Sequence, residues 1–252
     1  MYKYKDISIY YEVYGNSHNK TILILPGWGN TRTTFNNIIN LLKDKYKIYI
    51  VDYPFFGNSP IPNHELTIYD YSELIYNFIK DNNIIKPVVI AHSFGGRISS
   101  ILIGKYKVIV DKLILFDVAG IKRKKKIKVF LKEKVYKLLK KLTYLLPIYK
   151  QEKYRQLLLL KFSSDDYRSI PNSMKITFQN IIKEDLRKYY KSINTETLLI
   201  WGDKDLDTPL KDGKFLNKII NNSSLIVYKN AGHFSYLDYS YLTNKILEKY
   251  LK

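Results

Sequence analysis

Three residues in this chain have the types and order needed for nucleophilic catalysis: Ser93, Asp205 and His233. Ser93 stands in Ala91-His92-Ser93-Phe94-Gly95-Gly96, after an apolar strand-like run and before a helix-like one. That is a variant of the G-x-S-x-G nucleophile elbow, in which a sharp turn lifts a serine hydroxyl above the end of a sheet. Small residues two before and two after the serine let strand and helix backbones approach; here Ala91 replaces the first glycine. The plainer alternative is a serine that caps an ordinary helix. A serine hydroxyl also needs a base, and the chain has four histidines. His92 adjoins the nucleophile and is expected to point away from it. His18 sits in a polar turn and His64 in a Pro/Asn-rich loop, which leaves His233, in Asn230-Ala231-Gly232-His233-Phe234.

The base in turn needs a carboxylate to orient it. Asp205, in Trp201-Gly202-Asp203-Lys204-Asp205, is the first choice; Asp203 and Asp117 are its rivals. An oxyanion formed in acyl transfer needs two N–H donors. Phe94 supplies one, at the helix start behind Ser93. Trp28 supplies the other, in Leu25-Pro26-Gly27-Trp28-Gly29-Asn30, where the glycines free the backbone to turn.

These residues need a frame, and the hydropathy pattern predicts one. Strands are expected at Asp6–Tyr14, Thr21–Leu25, Tyr46–Val51, Pro87–Ala91, Lys112–Phe116, Thr197–Trp201 and Ser224–Lys229. Helical periodicity falls at Thr34–Leu42, from Thr67 to about Ile79, at Gly95–Lys105 and at Leu237–Leu251. Alternating strands and helices mean a mainly parallel central sheet flanked by helices. From Gly120 to about Ser192 no strand is legible and helical spacing dominates, with Ile127, Leu131, Val135, Leu138, Leu142 and Leu145 on one stripe. The expected division is a core at 1–119 and 195–252, interrupted by a helical lid at 120–194.

Composition narrows the classes further. Apolar residues make up 46% of the 252, enough for a sizeable core. No apolar run reaches the ~20 residues needed to span a bilayer. No signal-peptide apolar region follows the first residues, so a cytoplasmic protein is expected. With no cysteine, disulfides, thiolate metal sites and cysteine catalysis are excluded. The formal charge of +19 accompanies a general richness in Lys, Asn, Ile and Tyr, the mark of a compositional bias. Its concentration is more specific: Ile121–Arg155 holds fourteen Lys and Arg against two Glu. A basic amphipathic helix of this kind suits an anionic membrane surface or an anionic partner, or is simply a solvated lid. No recognition motif accompanies the charge, so nucleic acid is not expected. Arg97, Arg168 and Arg187 are each able to bind a substrate carboxylate.

Taken in order, LPGWGN, Asp52-Tyr53-Pro54-Phe55-Phe56-Gly57-Asn58-Ser59, AHSFGG, WGDKD and AGHF resemble the landmarks of the α/β-hydrolase superfamily, across essentially the whole chain. Two positions depart from the family pattern: Pro26 replaces the usual histidine before Gly27, and Phe55 stands where glycine is usual. The resemblance implies the α/β-hydrolase fold, a triad at Ser93, Asp205 and His233, and neither metal nor organic cofactor. It is nearest to small esterases and carbon–carbon bond hydrolases with a helical lid between the sixth and seventh strands. The expected activity is that of a carboxylic-ester hydrolase on a small or medium acyl substrate. A carbon–carbon hydrolase, an acyltransferase and a non-catalytic binding protein are the alternatives, because the fold alone does not settle the reaction.

Overall fold

Apolar runs become the middle of the sheet. In β3 (Thr21–Leu25), β5 (Val88–His92), β6 (Leu113–Phe116) and β7 (Thr197–Gly202) almost every residue is buried, as parallel strands covered on both faces require. The computed structural model describes residues 1–15, 18–123, 127–162 and 170–252, and side chains outside 124–133, 159–169 and 172. The basic residues Lys124, Lys125 and Lys126, the side chains of Ile127 and Leu131, and Arg168 therefore lie outside the described residues.

Eight strands form one sheet in the order β1-β2-β4-β3-β5-β6-β7-β8. Here β1 is Tyr2–Tyr4, β2 Ile7–Tyr14, β4 Lys47–Asp52 and β8 Ser223–Tyr228. β2 runs antiparallel to both β1 and β4, and the other pairings are parallel. Two buried apolar clusters lie on the two faces. One contains Phe78 of α2 (Ile68–Asp81), Ile98 of α3 (Phe94–Gly104) and Leu216 of the helix Leu210–Ile219. The other contains Ile38 of α1 (Asn36–Leu42) and Leu247 of the closing helix Ser240–Tyr250. α2 begins where the sequence indicates, at a capping box in which the Asp70 N–H donates to the Thr67 hydroxyl and the Thr67 N–H to the Asp70 carboxylate.

Three details differ from expectation. β1 is an extra edge strand, turned back onto β2 through Lys5 at φ +54°. The closing helix is broken at Tyr239, which sits at φ −121° and ψ +48°, into Ser235–Asp238 and Ser240–Tyr250. The chain also groups into two compact units, residues 1–121 with 180–252 and residues 122–179. The inserted unit holds α4 (Ile127–Leu142) and α5 (Ile148–Phe162) and is shorter than the expected 120–194. Residues beyond it are claimed by the first unit. Leu186, Tyr190 and Ile193 are fully buried in its core, the Gly120 carbonyl accepts from the Leu186 N–H, and the Tyr190 hydroxyl donates to the Ala119 carbonyl at 2.6 Å. Helical spacing looks the same in both units, so the sequence pattern could not mark the boundary. Among the described residues, no helix is long and apolar enough to cross a membrane.

Candidate active site

The turn from β5 into α3 is as sharp as the elbow pattern requires. Ser93 sits at φ +47° and ψ −107°, a conformation that costs an L-residue about 1–3 kcal/mol. The turn is fixed from several sides. The Ser93 N–H donates to the Phe116 carbonyl, and the Ser93 carbonyl accepts from the N–H groups of Gly96 and Ala119. The backbones approach so closely that a Cβ on Gly95 would stand 1.9 Å from the carbonyl oxygen of Leu25, and one on Gly96 2.3 Å from Cβ of Val118. Ala91 is completely buried, so its methyl group is accommodated where the family usually has glycine.

His233 follows β8, on the segment that leads into the Ser235–Asp238 turn. Its Nε2 lies 2.9 Å from Ser93 Oγ, and its Nδ1 lies 2.8 Å from Oδ2 of Asp205. A carboxylate only accepts, so the Asp205 bond puts the imidazole proton on Nδ1 and leaves Nε2 to accept from the serine hydroxyl. Burial opposes a charged His233, but the hydrogen bond and charge of Asp205 outweigh it and raise the pKa above the ordinary 6.5. Asp205 shows the reciprocal balance. Burial favours its neutral form, yet His233 and the Thr208 hydroxyl and N–H together hold its pKa below the ordinary carboxylate value.

Asp205 is itself tightly oriented. Its Oδ1 accepts from the N–H groups of Asp207 and Thr208 at 2.8 and 2.9 Å, and the Thr208 hydroxyl lies 2.6 Å from Oδ2. Sequence reasoning missed Thr208. The signal was present in Asp205-Leu206-Asp207-Thr208, because an aspartate followed by polar residues favours a turn closed on its own side chain.

The rival acids are used elsewhere. Asp203 accepts the Asn230 N–H at 2.7 Å. Asp117 is fully buried one strand away; it accepts the N–H groups of Gly202 at 2.8 Å and Ser235 at 3.2 Å, and also the Ser235 hydroxyl. Burial pushes its pKa up to about 7 despite these bonds. It thus braces the segment that carries His233 without bonding the imidazole. His64 Nδ1 lies 3.2 Å from Oδ2 of Asp6. His92 is completely buried, and its Nε2 is 2.8 Å from the backbone oxygen of His233.

On the other flank of Ser93 the Gly27–Asn30 segment closes as a turn, with the Asn30 N–H donating to the Gly27 carbonyl and Gly29 at φ +74°. The Trp28 ring meets those of Phe94 and Phe56 edge-on, at centroid distances of 5.3 and 4.9 Å. The two segments expected to supply oxyanion donors are therefore neighbours. Just beyond the turn, the buried Asp52 carboxylate accepts from the Arg32 backbone N–H at 3.1 Å, the Arg32 guanidinium at 3.0 Å and the Asn58 N–H at 3.1 Å. Phe55 adopts φ +78°, which explains why glycine is usual there and shows the strain this chain carries instead. Among the described residues, Asp205, Asp207 and His233 form a group with metal-type donor atoms within 4.8 Å of one another. The hydrogen bond from His233 to Asp205 already occupies its central atoms, so the arrangement suits a proton relay better than an ion.

The chain matches the alpha/beta hydrolase fold family over residues 20–239 and belongs to it. It is 27% identical over 261 residues to a pimeloyl-[acyl-carrier protein] methyl ester esterase of Wigglesworthia glossinidia brevipalpis, covering 94% of this chain and 95% of that protein. It is 25% identical over 246 residues to the uncharacterized hydrolase YugF of Bacillus subtilis, covering 90% and 88%. Among solved structures, it resembles MGS-M2, an alpha/beta hydrolase enzyme from a deep-sea metagenome library, at TM-score 0.76 and 20% identity over 100% of this chain and 97% of that one. It also resembles the esterase EaEST of Exiguobacterium antarcticum, at TM-score 0.72 and 24% identity over 96% and 94%. At these identities the structural likeness speaks for the fold.

Proposed function

We propose that the protein is a serine hydrolase that cleaves a carboxylic ester of a small or medium acyl group through an acyl-enzyme at Ser93. One observation carries the reading: Asp205, His233 and Ser93 stand in an unbroken hydrogen-bonded line of 2.8 and 2.9 Å. In this reading His233 takes the Ser93 proton as Oγ attacks the acyl carbonyl, and Asp205 holds the imidazole in the right tautomer and stabilises its charged form. The Trp28 and Phe94 N–H groups receive the developing oxyanion, an interaction worth about 3–4 kcal/mol per donor in comparable sites. His233 then returns the proton to the leaving alcohol, and water releases the acid by the same route. Relatives named as methyl ester esterases and hydrolases favour the ester over a carbon–carbon bond or acyl transfer.

The inserted helical unit takes the part of a lid in this proposal. Its exposed cations, among them Lys137, Lys140, Lys141, Lys150 and Lys153, suit an anionic partner or surface. Such an attraction would weaken as salt rises.

A fluorophosphonate probe tests the central claim. The wild type should label covalently and Ser93→Ala should not. Absence of labelling in the wild type, or equal labelling of the variant, would refute the serine mechanism. A panel of nitrophenyl esters of rising chain length then separates esterase activity from the alternatives, because inertness toward all of them points to carbon–carbon cleavage or acyl transfer.

A further inference from the structure

We propose that His92 is a positioning residue, resting on the serine-hydrolase reading above: its ring sets the spacing between the nucleophile, the base-bearing segment and the Gly27–Trp28 turn. Three contacts carry the inference. Through the backbone, His92 immediately precedes Ser93. At one edge of the ring, Nε2 lies 2.8 Å from the carbonyl oxygen of His233. At the other edge the ring abuts Gly27, where an added Cβ would stand 2.6 Å from Nδ1. His92 thus links all three segments, one through the backbone and two through its ring.

The chemistry of the ring fits that role. A carbonyl only accepts, so Nε2 carries the proton and donates it to His233. Complete burial, together with the neighbouring His233, pushes the His92 pKa down to about 3, and the ring stays neutral. Nδ1 then carries a bare lone pair, and it has no hydrogen-bond partner among the described residues. A buried acceptor without a partner is destabilising, so an apolar ring would fill this volume better. What an apolar ring cannot do is hold the His233 carbonyl. That bond fixes the peptide plane from which the imidazole projects, and with it the 2.9 Å reach to Ser93 Oγ. The rings of His233 and Phe234, both 4.9 Å away by centroid, and that of Tyr236 at 5.2 Å pack around the His92 ring. His92 touches no reacting atom and acts only through His233.

The test compares His92→Phe, which keeps a ring but loses the donor, with His92→Gln, whose amide N–H can reach the same carbonyl. Each is measured for its second-order rate of fluorophosphonate labelling, for kcat and KM on a nitrophenyl ester, and for its thermal unfolding midpoint. The expectation is that His92→Phe unfolds within a few degrees of wild type yet labels about 10- to 100-fold more slowly, the penalty of a misplaced catalytic group. Its kcat should fall in parallel with KM little changed, and His92→Gln should recover most of the loss. Wild-type labelling by His92→Phe, or a glutamine variant no faster than the phenylalanine one, overturns the proposal. If His92→Phe does not fold, His92→Gln decides: folded and fast supports the role, whereas folded and slow, or unfolded, overturns it. An unlabelled wild type would sink the serine-hydrolase reading instead, so the two failures are distinguishable.

Discussion

His233 Nδ1 and Asp205 Oδ2 lie 2.8 Å apart across a separation of 28 residues, and that contact raises the pKa of one while lowering that of the other. Only neutral His233 can accept the serine proton. Activity should therefore rise with pH as His233 loses its proton, with the acid limb above 6.5 because the folded-state pKa is raised. Asp205→Asn removes the largest influence that raises it and leaves the burial that lowers it, so the limb should move to lower pH. The plateau rate should fall by roughly 10³–10⁴-fold, as for loss of the orienting carboxylate in other triads. A kcat/KM profile from pH 5 to 9 checks both statements; a limb that moves upward contradicts them.

Asp117 predicts a pH-dependent stability of definite sign. Burial raises its pKa from 3.8 to about 7. Between those values the folded chain keeps a proton that the unfolded chain has released, so this group's contribution is full below 3.8 and is lost as pH rises toward 7. The slope is about 1.4 kcal/mol per pH unit at most, for one fully differing proton. Asp117→Asn abolishes the titration. Relative to wild type, its unfolding midpoint should improve between pH 4.5 and 7, and urea unfolding at both pH values reads this directly. A gap that narrows in the opposite direction would mean that Asp117 is ionised in the fold.

The elbow predicts an asymmetry between two small residues. Gly95→Ala would drive a methyl group into the Leu25 carbonyl, and backbone cannot yield as a flexible side chain can. The expected cost is about 4 kcal/mol or more, with loss of fluorophosphonate labelling. Ala91→Gly removes a methyl group that already fits, so it should cost only about 1 kcal/mol and leave the labelling rate near wild type.

Asp52 predicts a defect in stability. Its carboxylate serves three donors on two loops, and Arg32 also pairs with Glu12 at 2.7 Å. Asp52→Ala takes the acceptor from three partly buried hydrogen bonds and should cost about 1–3 kcal/mol, measured by urea unfolding. The labelling rate per folded molecule should fall less than for Asp205→Asn, because Asp52 lies behind the Trp28 turn and touches no group of the proton relay.

Much of this architecture was legible because the central strands are long apolar runs punctuated by glycine, proline or a capping residue. TILIL, the run ending at Ala91 and TLLIW read as buried strands, and each delivers its functional turn at its C-terminal end. Tyr2–Tyr4 was not legible, because three residues are too few for a period to show. The anchoring of Ser235 was hidden as well, since its partner Asp117 lies more than a hundred residues earlier. His92 illustrates the same limit at the site. Its type and position were plain, but the residue it would bond was a carbonyl in a distant segment, and backbone acceptors leave no trace in a sequence.

The division of the first unit by the inserted one has a consequence for biosynthesis. Residues 1–121 contain six of the eight strands and Ser93, the proposed nucleophile, but neither His233 nor Asp205. Asp205 and His233 emerge only after the insertion, together with β7 and β8. In the proposed mechanism, a nascent chain that has passed the elbow lacks its proton relay, and its sheet still has an unmatched edge at β6. In the proposed mechanism the sheet and the relay are therefore completed by the same final segment.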